Sequence, residues 1–314
     1  STDCVTRRMS SQSGLQCEDV QLPVEATGRH VDVGDTTLYA VEAGPEDGEL
    51  VVLLHGFPEC WYAWADYFRP LVEDGYRVVA PDQRGYNLSD HPTGLESYQI
   101  EELASDVVGL VDALGHEKAH VVGHDWGAAV AWWTALHHED RVRSLTVMNL
   151  PHPTVFSRHL RRDPAQQLRS WYMLFFQVPK LPELLSSVGN WAIVERGMRD
   201  SALPGTFSAT DMEHYRAAWS VPGAYRSMVN WYRAIARERP QPKRRTVEVP
   251  TLVVWGANDR FLRPTMARES LSYCSDGHIR TFEGATHWVH HEEPVAVARA
   301  LIEHIDDVWW TPNN

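Results

Sequence analysis

At residues 120–130 the chain reads His120-Val121-Val122-Gly123-His124-Asp125-Trp126-Gly127-Ala128-Ala129-Val130. The stretch begins as an apolar run and continues, after two closely spaced glycines, in the helical pattern of residues 128–136. Glycine tolerates backbone conformations and close approaches that other residues do not, so Gly123 and Gly127 allow a sharp turn. We therefore predict a buried strand, a tight turn and a helix, with Asp125 at the tip of the turn.

The central residue of this turn suggests a particular chemistry. In the related pattern Gly-x-Ser-x-Gly the central serine is a nucleophile, and here Asp125 takes its place. A carboxylate can attack a saturated carbon and leave an ester that water can cleave. Its reference pKa is about 3.9, so the carboxylate is already ionised at neutral pH and needs no base to activate it. The alternative is that Asp125 only caps the following helix, an ordinary role for aspartate.

Composition narrows the class of protein. The chain has 314 residues, 43% of them hydrophobic, with 29 Lys and Arg against 42 Asp and Glu, giving a formal charge of -13. That balance disfavours a nucleic-acid partner. The sequence contains no apolar run of about 18 residues that would span a membrane, and residues 1–17 hold no apolar signal core, so we predict a cytoplasmic protein. The histidines and the four scattered cysteines match no metal-binding spacing, so no metal site is predicted.

The order of apolar patterns along the chain predicts an α/β fold. The strands should form a mostly parallel, twisted sheet with helices on both faces. A hairpin is expected over residues 29–42, and the further strands are expected at residues 51–54, 76–80, 120–124, 142–150, 251–256 and 279–282. Helices are expected at residues 61–74, 100–114, 128–136 and 294–308.

Composition and hydrophobic periodicity divide the chain into four parts. Residues 1–22 lack periodicity and are predicted to be flexible. Residues 23–151 and 246–314 carry the strands and should form the two parts of one core. Residues 152–245 are rich in Trp, Tyr, Arg and Pro, show helical spacing and contain no strand pattern, so we predict a helical cap inserted into the core.

Two further residues stand where partners of Asp125 are expected. Asp259 follows the predicted strand 251–256, and His287 lies in the loop after the predicted strand 279–282. Loops at the carboxyl ends of parallel strands hold the site in such sheets. Nucleophile, acid and histidine in this chain order predict a hydrolytic triad. The alternative is that Asp259 is a turn residue and His287 a capped histidine of the core. The other usual place for the acid, after strand 142–150, holds Asn149.

Four motifs together make the chain resemble an epoxide hydrolase of the α/β-hydrolase fold. The resemblance covers roughly residues 28–308, and the combination is specific although each motif alone is not. The motifs are His55-Gly56-Phe57-Pro58-Glu59, Gly123-His124-Asp125-Trp126-Gly127, Trp255-Gly256-Ala257-Asn258-Asp259 and His287-Trp288-Val289.

The resemblance implies roles for several other residues. Tyr172 and Tyr232 match the two cap tyrosines that hold and protonate the epoxide oxygen. The backbone amides of Phe57 and Trp126 match the oxyanion hole. In relatives the bond that corresponds to Phe57-Pro58 is often cis, which this sequence permits. The side chains of Phe57 and Trp126 should also line the substrate pocket, together with Trp171, Phe175 and Phe176. Further candidate liners are Trp191, Trp219 and Met228.

The function implied is conversion of an apolar epoxide and water to a vicinal diol. Asp125 would form the covalent ester, and His287, oriented by Asp259, would activate the water that hydrolyses it. This chemistry requires no cofactor. The expected partners are the small-molecule epoxide and water, without nucleic acid, in a monomer or homodimer.

Two alternatives remain open at this stage. A haloalkane or haloacid dehalogenase would use the same nucleophile. Haloalkane dehalogenases share the tryptophan at Trp126, but resemblance to them would ask for Asn or Trp at the position of Phe57. Fluoroacetate dehalogenases use arginines at the positions of Trp126 and Ala129. A catalytically silent member of the fold that only binds a ligand is the other alternative.

Overall fold

The computed structural model describes residues 14–307. Its centre is an eight-stranded sheet with the spatial order β1-β2-β4-β3-β5-β6-β7-β8. The first strands pair antiparallel, β1 with β2 and β2 with β4, and the pairs from β4 to β8 are parallel. The strands are β1 (Ala26–Asp32), β2 (Thr37–Ala43), β3 (Leu50–Leu54), β4 (Arg77–Pro81), β5 (Ala119–His124), β6 (Val142–Met148), β7 (Thr251–Gly256) and β8 (Gly277–Phe282).

Helices cover the sheet and form the insertion. Those of the core are α1 (Ala65–Glu73), α2 (Ile100–Ala113), α3 (Trp126–His137), α11 (Thr265–Leu271), α12 (Val289–Glu292) and α13 (Pro294–Asp307). Those between β6 and β7 are α4 (Pro153–Arg162), α5 (Pro164–Arg169), α6 (Trp171–Phe175), α7 (Leu181–Ser187), α8 (Ala192–Ser201), α9 (Ala209–Trp219) and α10 (Ala224–Glu238). Short 3-10 helices occupy Cys17–Asp19, Trp61–Trp64, Leu95–Tyr98 and Glu139–Arg141.

The central strands are the most apolar part of the molecule. Every residue of β3, β5 and β7 is buried, because helices cover both faces of the parallel sheet. The edge strand β8 instead alternates between half-buried and exposed residues. The predicted α/β fold is therefore confirmed, and the strand ends that carry Asp125, Asp259 and His287 meet at one edge of the sheet.

The amino-terminal part differs from the prediction of a flexible segment over residues 1–22. Leu15 is fully buried and Cys17 nearly so. The N–H of Leu15 donates to Oδ1 of Asn87, and its carbonyl accepts from Nδ2 of Asn87, both at 2.8 Å. These long-range contacts, which residue spacing does not reveal, attach residues 14–22 to the core. Residues 1–13 of the predicted segment lie outside the described residues.

Two other sequence predictions can be compared with the structure. The helix predicted over residues 61–74 begins as the 3-10 turn Trp61–Trp64 and becomes α-helical at Ala65. Within the described part of the chain, no helix is both long and apolar enough to cross a bilayer. Cys17, Cys60 and Cys274 are free thiols.

Candidate active site

Asp125 occupies the sharp turn between β5 and α3. Its φ is 49° and ψ is -119°, a backbone conformation that side-chain-bearing residues rarely adopt. A Cβ at position 123 would lie 2.3 Å from the Gly127 carbonyl oxygen, and one at position 127 would lie 2.1 Å from that of Leu54. Only glycine fits at either place. The carboxylate of Asp125 makes no capping hydrogen bond to α3, so it is free to face the site.

His287 lies between two carboxylates. Its Nδ1 is 2.8 Å from Oδ2 of Asp259, and its Nε2 is 3.5 Å from Oδ1 of Asp125. Burial alone would lower the pKa of His287, but the negative charges of Asp259 and Asp125 outweigh it and raise the pKa from 6.5 to about 10. Burial likewise opposes ionisation of Asp125, yet the hydrogen bond and charge of His287 hold its pKa below the ordinary value. These interactions favour a carboxylate and an imidazolium as the resting pair.

Asn149 holds the acid in place. It follows β6 with a φ of 45°, and its Nδ2 donates to Oδ2 of Asp259 at 2.7 Å. Its Oδ1 accepts from the N–H of Gly256 at 2.9 Å. The N–H groups of Phe261 and Leu262 donate to Oδ1 of Asp259. The sequence identifies Asn149 only as the occupant of the alternative acid position, whereas in the structure it is a positioning residue for Asp259.

The loop after β3 contacts Asp125 directly. The N–H of Phe57 donates to Oδ2 of Asp125 at 3.1 Å, and the Phe57-Pro58 peptide bond is cis. Among residues 14–307 no hydrogen bond joins the Trp126 N–H to the Asp125 carboxylate. One oxygen of Asp125 is thus held by the Phe57 amide, while the other faces His287.

Tyr172 of α6 and Tyr232 of α10 line the cap side of the cavity that contains Asp125. Together with Asp125 and Trp126 they line a cavity of about 570 Å³. Their ring centroids lie 6.0 Å apart, with the ring planes at 80°. Burial, and after it the negative charge of Asp125, raises the pKa of Tyr172 above its usual range; burial also raises that of Tyr232. Both phenols therefore carry their protons at neutral pH.

The aromatic residues expected to line the pocket divide into two groups. The side chain of Trp126 lines the cavity. Phe57 and Phe176 contact Tyr232, with ring centroids 5.3 Å and 4.7 Å from its ring. They pack against the tyrosine but are not part of the described cavity wall.

Trp171 and Phe175, which were predicted to line the pocket, lie outside the cavity lining. Trp171 is 62% exposed, and the cavity lining among the described residues includes neither of them. The reason is that α6 is one short turn of helix, which directs Tyr172 inward and its neighbour Trp171 outward. The other candidate liners also lie elsewhere: Trp191 and Trp219 pack against each other, and Met228 is fully buried.

Several residues that line the cavity are not among the predicted liners. Ala129 and Trp133 lie on one face of α3 with Trp126, at the spacing of three and four residues that places side chains together. Phe156, Leu160 and Ile235 extend the apolar wall, and Arg161 and Arg239 also line it. The helical spacing from Trp126 would have indicated Ala129 and Trp133; the cap residues carry no such signal.

A buried polar cluster lies beneath the site. The fully buried Glu59 accepts from Tyr215 at 3.0 Å and contacts Nε2 of His291 at 2.6 Å, Nδ1 of His124 at 3.2 Å and Nε2 of His290 at 3.3 Å. Burial opposes its charge, but the neighbouring histidines keep the pKa of Glu59 well below its usual value.

This cluster is linked to His287. Nε2 of His124 lies 2.9 Å from the carbonyl oxygen of His287, which can only accept, so that nitrogen carries a proton. Glu59, His124 and His290 also bring possible metal-ligand atoms within 4.8 Å of one another. The separations from Glu59 are, however, those of hydrogen bonds and ion pairs.

Comparison with known proteins agrees with this architecture. The α/β hydrolase fold family matches residues 49–294. The AB hydrolase superfamily protein YfhM of Bacillus subtilis is 42% identical over 275 residues, covering 88% of this chain and 96% of that protein. Human epoxide hydrolase 4 is 35% identical over 291 residues, covering 89% of this chain and 79% of that protein.

Comparison with a solved structure narrows the family. The crystal structure of the Bacillus megaterium epoxide hydrolase in complex with an inhibitor superposes with a TM-score of 0.80 at 28% identity, covering 88% of this chain and all of that one. Together with the motifs and the geometry of the site, these similarities identify the chain as an α/β-hydrolase. The chain belongs to the epoxide hydrolase family of that superfamily.

Proposed function

We propose that this protein hydrolyses an apolar epoxide to a vicinal diol through a covalent ester on Asp125. One observation carries the proposal: the carboxylate of Asp125 shares a cavity with the phenols of Tyr172 and Tyr232. The direction of their pKa shifts favours an ionised carboxylate and protonated phenols. Opening an epoxide requires a nucleophile on carbon and an acid on oxygen at the same time. The predominantly apolar wall of the cavity favours an apolar substituent on the epoxide.

In the first step Oδ1 of Asp125 attacks an epoxide carbon. Oδ2 is engaged by the Phe57 amide, so Oδ1 is the oxygen available for attack. The carbon–oxygen bond of the ring breaks, and its electron pair stays on the departing oxygen. Tyr172 or Tyr232 donates a proton to that oxygen, giving a hydroxyalkyl ester and a phenolate. General-acid assistance of this kind contributes about 10²- to 10⁴-fold in rate.

Esterification then changes the charge around His287. The ester of Asp125 is neutral, so one of the two anions that raise the pKa of His287 is lost. The imidazolium can then release its proton, and this proton replaces the one that the tyrosines gave up. His287 becomes a neutral base, still oriented by Asp259.

In the second step His287 takes a proton from water as the water attacks the ester carbonyl. The carbonyl oxygen is Oδ2, and the Phe57 N–H that already contacts it stabilises the developing oxyanion. As the intermediate collapses, the ester carbon–oxygen bond breaks and the hydroxyl that came from water passes its proton to the departing alkoxide oxygen. This releases the diol and restores the Asp125 carboxylate. The oxygen of the water remains on Asp125, and the imidazolium is regenerated.

Labelled water tests this route. In a single turnover with enzyme in excess in ¹⁸O water, we expect the label in Asp125 and unlabelled diol. Label appearing directly in the diol would exclude the covalent route. Asp125→Asn should be inactive when freshly prepared, because an amide is a poor nucleophile.

The remaining alternatives are separated by simple assays. A dehalogenase would release halide from chloroalkanes or haloacids and form no diol from an epoxide. A silent ligand-binding protein would do neither. We expect diol formation from styrene oxide, lost in Asp125→Asn, and no comparable halide release.

A further inference from the structure

Exposed apolar surface is concentrated in the cap. Eleven large apolar side chains are exposed among residues 14–307, and ten of them lie between Leu168 and Leu203. The eleventh, Val295, is on the surface of α13, outside the cap. Scattered single residues need no explanation, but a concentration of this kind marks an interaction surface.

Three of these residues form what we call the cap ridge: Leu168, Trp171 and Leu174, which are 75%, 62% and 76% exposed. They follow one another at three-residue spacing through α5 and α6, which places them on one side. Ser170, between the two helices, has a φ of -93° and a ψ of 13°, so the helical path of the backbone is only slightly interrupted there. Leu174 also lines the catalytic cavity, which puts the cap ridge at the cavity mouth.

The same mouth is positively charged in an acidic protein. Residues 158–180 hold five Arg or Lys and one Asp, although the whole chain has a formal charge of -13. Arg161 and Arg239 line the cavity with Leu174. Among the described residues, Arg161, its neighbour Arg162 and Arg239 have no carboxylate partner. Arg161 bonds only the hydroxyl of Ser157, and Arg239 a backbone carbonyl.

We propose that the cap ridge docks on the surface of an anionic lipid bilayer, with the mouth of the cavity facing the lipid. The apolar side chains would enter the headgroup region, where tryptophan is favoured, and the unpaired arginines would face lipid phosphates and carboxylates. An apolar ligand dissolved in the bilayer would then reach the cavity without crossing water.

Charge favours this occupant over a second copy of the chain. A two-fold dimer interface places the same patch on both sides. Such a dimer would bring the arginines beside one cap ridge close to those beside the other. A bilayer with anionic lipids offers the opposite charge over the whole patch.

Vesicle sedimentation tests the proposal with the full chain. We compare phosphatidylcholine vesicles with and without phosphatidylserine, at low and high salt. The wild-type protein should bind the anionic vesicles, and salt should weaken binding. Leu168→Ser combined with Trp171→Ser should lower the partition coefficient about tenfold or more. Arg161→Gln combined with Arg239→Gln should remove the preference for anionic lipid.

Matched variants control for these changes. Val295→Ser removes an exposed apolar side chain outside the cap, and Arg280→Gln removes an exposed charge on β8; neither should alter binding. Absence of wild-type binding, or equal losses in Val295→Ser, would overturn the proposal. So would a dimer in light scattering that the Leu168→Ser and Trp171→Ser pair dissociates, because the ridge would then be a protein interface. The binding readout uses no epoxide and stands apart from the proposed activity.

Discussion

Nε2 of His287 lies 3.5 Å from Oδ1 of Asp125, on the opposite side of the imidazole from Asp259. The ring therefore touches both the oxygen that would be alkylated and the acid that orients it. As long as both carboxylates are ionised they favour the imidazolium. Loss of one charge favours the neutral base, so ester formation itself would prepare the second step.

Replacing His287 should separate the two steps. In His287→Gln we expect Asp125 to be alkylated once and the ester to accumulate, because no base remains to activate water. Turnover should fall about 10²- to 10⁴-fold. Intact mass after mixing with substrate should increase by the mass of the epoxide. His278→Gln, the same change at an exposed histidine, should behave as wild type. Normal turnover without an adduct would contradict the assigned role.

The raised pKa of His287 predicts a pH dependence of stability. Its pKa rises from an ordinary value of 6.5 to about 10 in the folded protein. The folded state therefore binds the proton more tightly than the unfolded state, and the resulting stabilisation is fully present below pH 6.5. It is lost as the pH rises toward about 10. Urea unfolding of wild type and His287→Gln across this range should show their difference shrinking with pH; a constant difference would argue against the imidazolium.

The cap tyrosines should affect only the first step. We expect Tyr172→Phe and Tyr232→Phe each to slow ester formation, and the double variant to lose about 10²- to 10⁴-fold. Hydrolysis of an ester already formed should remain near the wild-type rate. Rapid quenching measures both rates. Tyr225→Phe, a buried cap tyrosine bonded to Ser186 and outside the cavity lining, is the control. Unchanged alkylation in the double variant would remove the acids from the mechanism.

Asn149 should matter for the second step through Asp259. Asn149→Ala removes the donor to Asp259 and leaves the Gly256 N–H without its acceptor. We expect a loss of about 1–3 kcal/mol in the free energy of unfolding, and slower ester hydrolysis with alkylation less affected. Asn258→Ala, at an exposed neighbour that bonds a carbonyl of Glu283, should change neither rate. A loss of stability with normal hydrolysis would make Asn149 purely structural.

Glu59 should contribute mainly to stability. Glu59→Ala would leave Tyr215 and three histidines without their buried acceptor, and breaking such a buried charged cluster costs about 3–5 kcal/mol. Chemical denaturation should show this loss, whereas Glu117→Ala at an exposed site should be neutral. A small loss for Glu59→Ala would mean that the histidines satisfy one another.

The parts of the site that follow strand ends could be predicted from sequence. Asp125, Asp259 and His287 come together because parallel strands end at one edge, and the glycines beside Asp125 mark the turn. Cap side chains were harder to place. Tyr172 and Trp171 are neighbours in a helix of five residues, and only packing against the core decides which one faces inward.

Polar contacts between residues far apart in the sequence could not be predicted from residue periodicity either. Glu59, His124, Tyr215 and His291 are separated by tens of residues or more, and no periodicity connects them. Burial of Leu15 depends similarly on Asn87, far along the chain. The predicted cytoplasmic location and the oligomeric state stay predictions.

In the proposed mechanism, the insertion supplies the two acids of the cavity, and the loops at the strand ends supply the nucleophile and the base. Ring opening and turnover of the ester would therefore depend on different stretches of the chain. Grafting another lid that keeps the two tyrosines should alter the preference for epoxides, which the α3 residues that line the cavity also influence, while the hydrolytic half of the cycle is inherited intact. The gene segment for residues 152–245 is thus a natural unit for diversification.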